Sequence, residues 1–147
     1  MLTGEFIVET NASAPDAHSY LADLSHHAEW RADVMSCDIE SGVAGQDGTI
    51  YRQHVRQGPG TAWRRIQAHI ISSSEIGFET LDGIIRASGI SRVLGYPDGG
   101  SFIRCTISIS FRGPGNALRP VVARELSRRV VAYPQALKPR LDALNGK

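Results

Sequence analysis

Six successive runs between Val34 and Phe111 carry strand-forming residues in near-alternation, whereas the tail beyond them carries apolar residues at every third or fourth position. This change of period limits the fold more than any other feature, because period two marks strands and period three to four marks a helix face. The strand-like runs start at Val34, Thr49, Ala62, Glu75, Ile84 and Ser101. Turn material separates them at Gly42 to Gly48, Gln57-Gly58-Pro59-Gly60, Ser72-Ser73-Ser74 and Tyr96-Pro97-Asp98-Gly99-Gly100. Short turns imply antiparallel neighbours, so the runs form a meander. In the tail, Leu118, Val122, Leu126, Val130, Tyr133, Leu137, Leu141 and Leu144 form one stripe of a long helix. Gly113-Pro114-Gly115 ends the last strand, and Asn116 is the expected N-cap. Pro134 and Pro139 each remove a backbone donor from this helix, which predicts a kink or break.

Ahead of the meander, the run from Gly4 (GEFIVET) reads as a first strand. Ser13, with Pro15 just behind it, then opens a short helix whose apolar positions are Ala17, Tyr20, Leu21 and Leu24, and Ser25 to Trp30 reads as a second helical turn. The 147 residues fit one α+β domain in which a sheet buries one face against the C-terminal helix. A net charge of +1 provides no global field to select nucleic acid or an anionic membrane. The N-terminus lacks the pattern of a signal peptide, and no apolar stretch approaches the ~20 residues of a membrane span, so the expected compartment is the cytoplasm. Two cysteines, Cys37 and Cys105, are too few for a disulfide scaffold or a metal cluster.

Strand phase predicts what lies inside. Ile103, Cys105, Ile107, Ile109 and Phe111 alternate with Arg104, Thr106, Ser108 and Ser110, so the first set points inward. Ile66, Ala68 and Ile70 share a face with Arg64. Ile85, Ala87, Gly89, Ser91 and Val93 form a face of mainly small residues, and Tyr51, Gln53 and Val55 are the less charged side of their strand. Small side chains at 68, 87, 89 and 91 leave room on a concave sheet. Either the helix sits low and fills it, or the gap is a cavity that something occupies.

The order of elements and several strings resemble the SRPBCC (START/Bet v 1-like, helix-grip) superfamily, in its polyketide cyclase/dehydrase and lipid-transport branch. The strings are SAPDAHSYLADLSHHAEW at 13–30, DGTIYRQ at 47–53, RASG at 86–89, GGSFIRCTISISF at 99–111 and LRPVVARELSRR at 118–129. They cover essentially the whole chain but are structural punctuation, more specific for fold than for function. The resemblance implies a seven-stranded sheet gripping the C-terminal helix with a ligand cavity between them. It also implies a first strand lying between the second and the last, which would put Cys37 and Cys105 about 10 Å apart, too far for a disulfide and best read as core thiols.

Among titratable residues, His26 and His27 point about 100° apart on a helix and read as surface residues. His54 and His69 fall in the outward phase, as does Trp63. Arg64 shares the inward phase near a strand end; it is either an anchor for a carboxylate, enolate or phenolate, or a rim arginine reaching solvent. Tyr51, Gln53, Ser91 and Tyr133 are the other polar groups expected inside, and Trp30 and Phe78 supply aromatic walls. The expected ligand site therefore comprises these residues with Val55, Ile66, Ala68, Ala87, Gly89, Val93, Ile103, Cys105, Ile107, Leu126 and Val130. From residue 115 onward, seven basic residues (Lys147 among them) face two acids, leaving the rest of the chain at −4; this reads as a solvated helix back complementing an acidic sheet. With no Asp, Glu or His expected inside, binding of a bulky, mostly apolar molecule (lipid, isoprenoid or polyketide-like) is the first functional reading, without cofactor or metal. A cyclase or dehydratase using Arg64, Tyr51 and Tyr133 is the second. A protein that docks a partner through its sheet edge or basic helix is the third.

Overall fold

The computed structural model describes residues 1–144, so Lys147 of the basic tail lies outside the described residues. The elements run β1 (Leu2–Thr10), α1 (Ala14–Ala22), a 3-10 turn (Leu24–His26), α2 (His27–Trp30), β2 (Val34–Ser41), β3 (Ile50–Gln57), β4 (Gly60–Ile70), β5 (Glu75–Thr80), β6 (Ile85–Gly95), β7 (Ser101–Phe111), a second 3-10 turn (Gly113–Leu118) and α3 (Arg119–Leu144). Ser13 caps α1 as expected, its side-chain oxygen accepting from the Asp16 amide at 3.2 Å.

Every strand pairs antiparallel with its neighbour in the order β1-β7-β6-β5-β4-β3-β2. This corrects the expected strand order. β1 pairs with β7 and lies at one edge, while β2 lies at the other, because the segment from α1 to α2 carries the chain across to the far edge before the meander begins. Cys37 on β2 and Cys105 on β7 are thus five strand steps apart rather than two; both are free, buried thiols.

The strand phases hold. Ile103, Cys105, Ile107 and Ile109 are buried while Arg104 is exposed, and Tyr51, Gln53, Val55, Ile66 and Ala68 are buried on the same concave face. α3 packs its buried residues Val122, Leu126, Tyr133, Leu137 and Leu141 against this face and against β1. Gly4 sets how closely it can approach, since a Cβ there would stand 2.8 Å from Val130 Cγ1. The apolar core is divided. One cluster joins β1, β6, β7, α1 and α3, and a smaller one joins Leu24, Val34, Cys37, Tyr51, Val55, Ile66 and Ala68 at the β2–β4 end. α3 thus lies over one side of the concavity and leaves the other less covered.

Two expectations for the helix change. Asn116 does not cap it: the residue sits in the 3-10 turn, where its side chain donates to the Gly113 carbonyl at 3.2 Å, and α3 starts three residues later at Arg119. Nor do Pro134 and Pro139 break α3, which is continuous over 26 residues. Tyr133, Leu137 and Leu141 are buried in the core across both prolines, and tertiary packing of that stripe keeps the segment helical where local hydrogen bonding is lost. Among the described residues no helix is long and apolar enough to cross a membrane.

Candidate functional site

A cavity of about 220 Å³ opens where α3 parts from the β3–β4 hairpin and the β5–β6 turn. Val55, Ala62, Ile85, Ala87, Ile107, Ile109, Val122 and Leu126 line its apolar wall. The polar wall gathers Arg31, Asp33, Arg64 and Tyr133, with Glu125 and Arg129 contributed by α3. Trp63 is 53% exposed, in keeping with its outward phase, yet it borders the mouth. A second, apolar hollow of about 30 Å³, room for about one water, lies deeper among Leu24, His27, Trp30, Phe78, Ser91 and Cys105. Arg31 and Ile107 border both spaces.

The polar wall is organised around Asp33, which is only 7% exposed. Arg31 Nη2 lies 3.5 Å and Arg129 Nη1 3.7 Å from its Oδ2, and the Tyr133 hydroxyl donates to Oδ1. Burial works to raise this carboxyl, but the Arg31 and Arg129 charges and the Tyr133 hydroxyl outweigh it and hold Asp33 well below the usual carboxylate range. Burial pushes the Tyr133 phenol up, so it stays a donor. The Arg31 guanidinium stacks on Phe78 and Tyr133, 5.6 and 5.0 Å from the ring centroids. Arg129 also pairs with Glu125 at 2.9 Å, so one arginine of α3 ties the helix to the start of β2.

Next to this clasp runs a chain of side chains centred on Gln53. Arg64 Nε donates to Gln53 Oε1 at 2.9 Å. Arginine cannot accept, so this contact fixes the amide: its nitrogen faces His27 Nδ1 at 3.0 Å and Cys37 Sγ at 3.4 Å. His27 therefore accepts at Nδ1 and carries its proton on Nε2. Burial, then the Arg31 and Arg64 charges, keep the imidazole well below its ordinary pKa, so it is neutral. Burial and the nearby Arg31 charge push Arg64 down to about 10, which leaves it protonated at neutral pH. Arg64 is half-exposed as a residue, but its Nη2 is buried without a protein partner, and so is Arg31 Nε.

The structure sorts the expected site residues into three groups. Val55, Arg64, Ala87, Ile107, Leu126 and Tyr133 line the larger cavity. Trp30, Phe78, Gly89, Ser91 and Cys105 line the smaller one. Tyr51, Gln53, Ile66, Ala68, Val93 and Ile103 are buried behind both, and Val130 is half-buried against β1. Tyr51, expected as a catalytic candidate, instead donates to Asp23 at 3.3 Å and borders neither space. Arg64 turns its guanidinium inward rather than reaching solvent.

The largest correction concerns charge. His27 is buried, not superficial, because the 3-10 turn before α2 rotates it onto Gln53, Trp30 and Phe78. Arg31 and Asp33 are inside as well, so the expectation of an interior without Asp, Glu or His fails. No sequence period marks the latter pair, because Arg31 to Val34 form a turn in which the Val34 amide donates to the Arg31 carbonyl at 3.0 Å.

A curved seven-stranded antiparallel sheet, short helices after β1 and a long C-terminal helix over the concavity settle the architecture. It is the helix-grip fold of START and Bet v 1-like proteins. The aromatase/cyclase Zhui from Streptomyces sp. R1128 superposes with a TM-score of 0.77 at 19% identity, over 96% of this chain and 93% of that one. A START superfamily protein from Mycobacterium smegmatis gives 0.78 at 14% identity, over 97% and 98%. The di-domain ARO/CYC StfQ of the steffimycin biosynthetic pathway gives 0.72 at 13% identity; 99% of this chain covers 52% of that one. No protein-family model and no curated protein matches the sequence.

Proposed function

We propose that this chain binds a largely apolar small molecule, of lipid, isoprenoid or polyketide-like kind, in the helix-grip cavity, with an oxygen-bearing end turned toward Arg64. The observation that carries the reading is an open cavity of about 220 Å³ with a mainly apolar wall, at whose polar end Arg64 Nη2 has no protein partner. Close-packed interiors do not retain such space without use, and a buried guanidinium nitrogen needs an acceptor. A cavity of ~150 Å³ holds benzene, so this one accommodates one or two rings, and a bulkier ligand extends through the mouth beside Trp63. Native mass spectrometry of the protein purified from its own host is expected to show a retained small molecule. An empty protein that also takes up no apolar fluorescent probe overturns the proposal.

A second reading, catalysis of cyclisation or dehydration on a poly-β-carbonyl chain, is favoured by one specific observation: Arg64, Arg31, Asp33 and Tyr133 converge on one wall of the cavity. The fold shared with an aromatase/cyclase is in keeping with it. Here the cavity would hold a flexible substrate near its reactive shape, Arg64 would stabilise the enolate oxygen, and the Tyr133 hydroxyl or a water would move the proton. Unchanged turnover of a genuine substrate by R64A would remove this assignment of roles.

A further inference from the structure

The ion pairs of the cavity wall leave one inward-turned arginine out. The lining includes four arginines, at 31, 56, 64 and 129, and the carboxylates of Asp33, Asp82 and Glu125. Each carboxylate is already engaged. Asp33 is held by Arg31, Arg129 and Tyr133; Glu125 pairs with Arg129; Asp82 accepts from the Arg65 backbone amide at 3.2 Å. Arg56 is exposed to solvent. That leaves Arg64, which has no carboxylate within ion-pairing distance among the described residues; the hydrogen bond of its side chain goes to the neutral Gln53 amide. Two buried N–H donors without protein partners, Arg64 Nη2 and Arg31 Nε, belong to two arginines of this wall.

We infer that the site is selective for a compact organic monoanion, a carboxylate carried on one or two rings, held with its charged end against Arg64 and Arg31. This inference rests on the cavity being a ligand site, as proposed above, and specifies the ligand's class. A guanidinium whose buried nitrogen has neither an acceptor nor an ion-pair partner is costly, so a ligand that brings one negative charge completes the wall, whereas a neutral ligand supplies at most an acceptor. A carboxylic acid, with a pKa near ~4, arrives already ionised at neutral pH, while a phenol near ~10 would first have to lose its proton. The cavity size excludes a long acyl chain from full enclosure and fits one or two rings. Asp33 is shielded from the incoming anion because its two oxygens already face Arg31, Arg129 and Tyr133.

The test is the affinity of the full chain for 2-naphthoate against its neutral isostere 2-naphthamide, measured by calorimetry. Naphthoate is expected to bind at least about tenfold tighter, the ratio that one charge-assisted hydrogen bond typically supplies. In R64Q the preference for naphthoate over naphthamide is expected to be lost, and circular dichroism with a cooperative melt shows that the variant is folded. R64K keeps a charge and retains part of the preference. Equal affinity of the wild-type protein for the two probes overturns the inference but leaves the cavity reading standing, and that ratio needs no variant to fold. Failure of both probes to bind removes the cavity reading and this inference with it.

Discussion

Gln53 decides the chemistry of two neighbours at once, because its oxygen is committed to Arg64 and its nitrogen must then serve His27 and Cys37. The neutral, buried His27 has a consequence for acid stability. The unfolded chain takes up a proton at this position below about pH 6.5, whereas the folded chain does not. Stability must therefore fall as pH drops below about 6.5, by about 1.4 kcal/mol per pH unit in the limit. Urea unfolding at pH 7 and pH 5 is expected to show this loss in the wild type and a clearly smaller one in His27→Gln, which can still bond Gln53. Asp33 has the opposite sign of charge but its folded pKa is also depressed: its contribution is present above about pH 4 and is lost as pH falls below that, so it does not enter the pH 5–7 window. Its removal at neutral pH is more severe. Asp33→Asn leaves Arg31 buried without a counter-charge and is expected to cost about 3–5 kcal/mol, whereas Tyr133→Phe, which removes one hydrogen bond to the carboxylate, costs about 1.5–3 kcal/mol. Comparable losses in the two variants would show that the Asp33 charges do not form the clasp described.

At the scale of elements, α3 depends on its entry turn more than on its internal hydrogen bonds. Gly115 abuts the Ile84 carbonyl, where a Cβ would stand 2.6 Å from the oxygen, so Gly115→Ala must push the 3-10 turn off the β5–β6 connection. It is expected to destabilise by about 1–3 kcal/mol. Pro139 acts the other way: it is exposed and mid-helix, and Pro139→Ala restores a donor to the Gln135 carbonyl. After the lost stiffening of the unfolded chain is subtracted, a gain of about 1–2 kcal/mol is expected, read as a higher Tm. The alternating runs and the 118–144 stripe made these elements legible, because periodicity is a property of neighbouring residues. The strand order was not legible, since β1 and β2 have no local mark showing that the intervening helices carry the chain to the opposite edge. Continuity of α3 through two prolines was equally hidden, because packing by Tyr133, Leu137 and Leu141 decides it and local propensity does not.

For the whole molecule, the half of the site carried on strands was readable and the half carried on α2 and its link was not. Inward phase on β3, β4, β6 and β7 brought Val55, Arg64, Ala87 and Ile107 to the cavity, but Arg31, Asp33 and His27 sit on α2 and the short link after it, where no sheet period applies. What unites both halves is unfilled volume, and Ala87 tests it directly. Ala87 is 8% exposed, faces the concavity from β6 and lines the cavity wall. In a filled core, Ala87→Leu would overpack and lower stability by about 1–3 kcal/mol. Facing a void of about 220 Å³, the added carbons instead find apolar contacts with Ile107, Ile109 and Leu126, so the Tm is expected to hold or rise. The same substitution takes up space that a ligand would use and is expected to weaken uptake of apolar probes at least about tenfold, through lost fit rather than lost charge. A lower Tm with unchanged probe binding would mean that the space seen between sheet and helix is not where ligand sits.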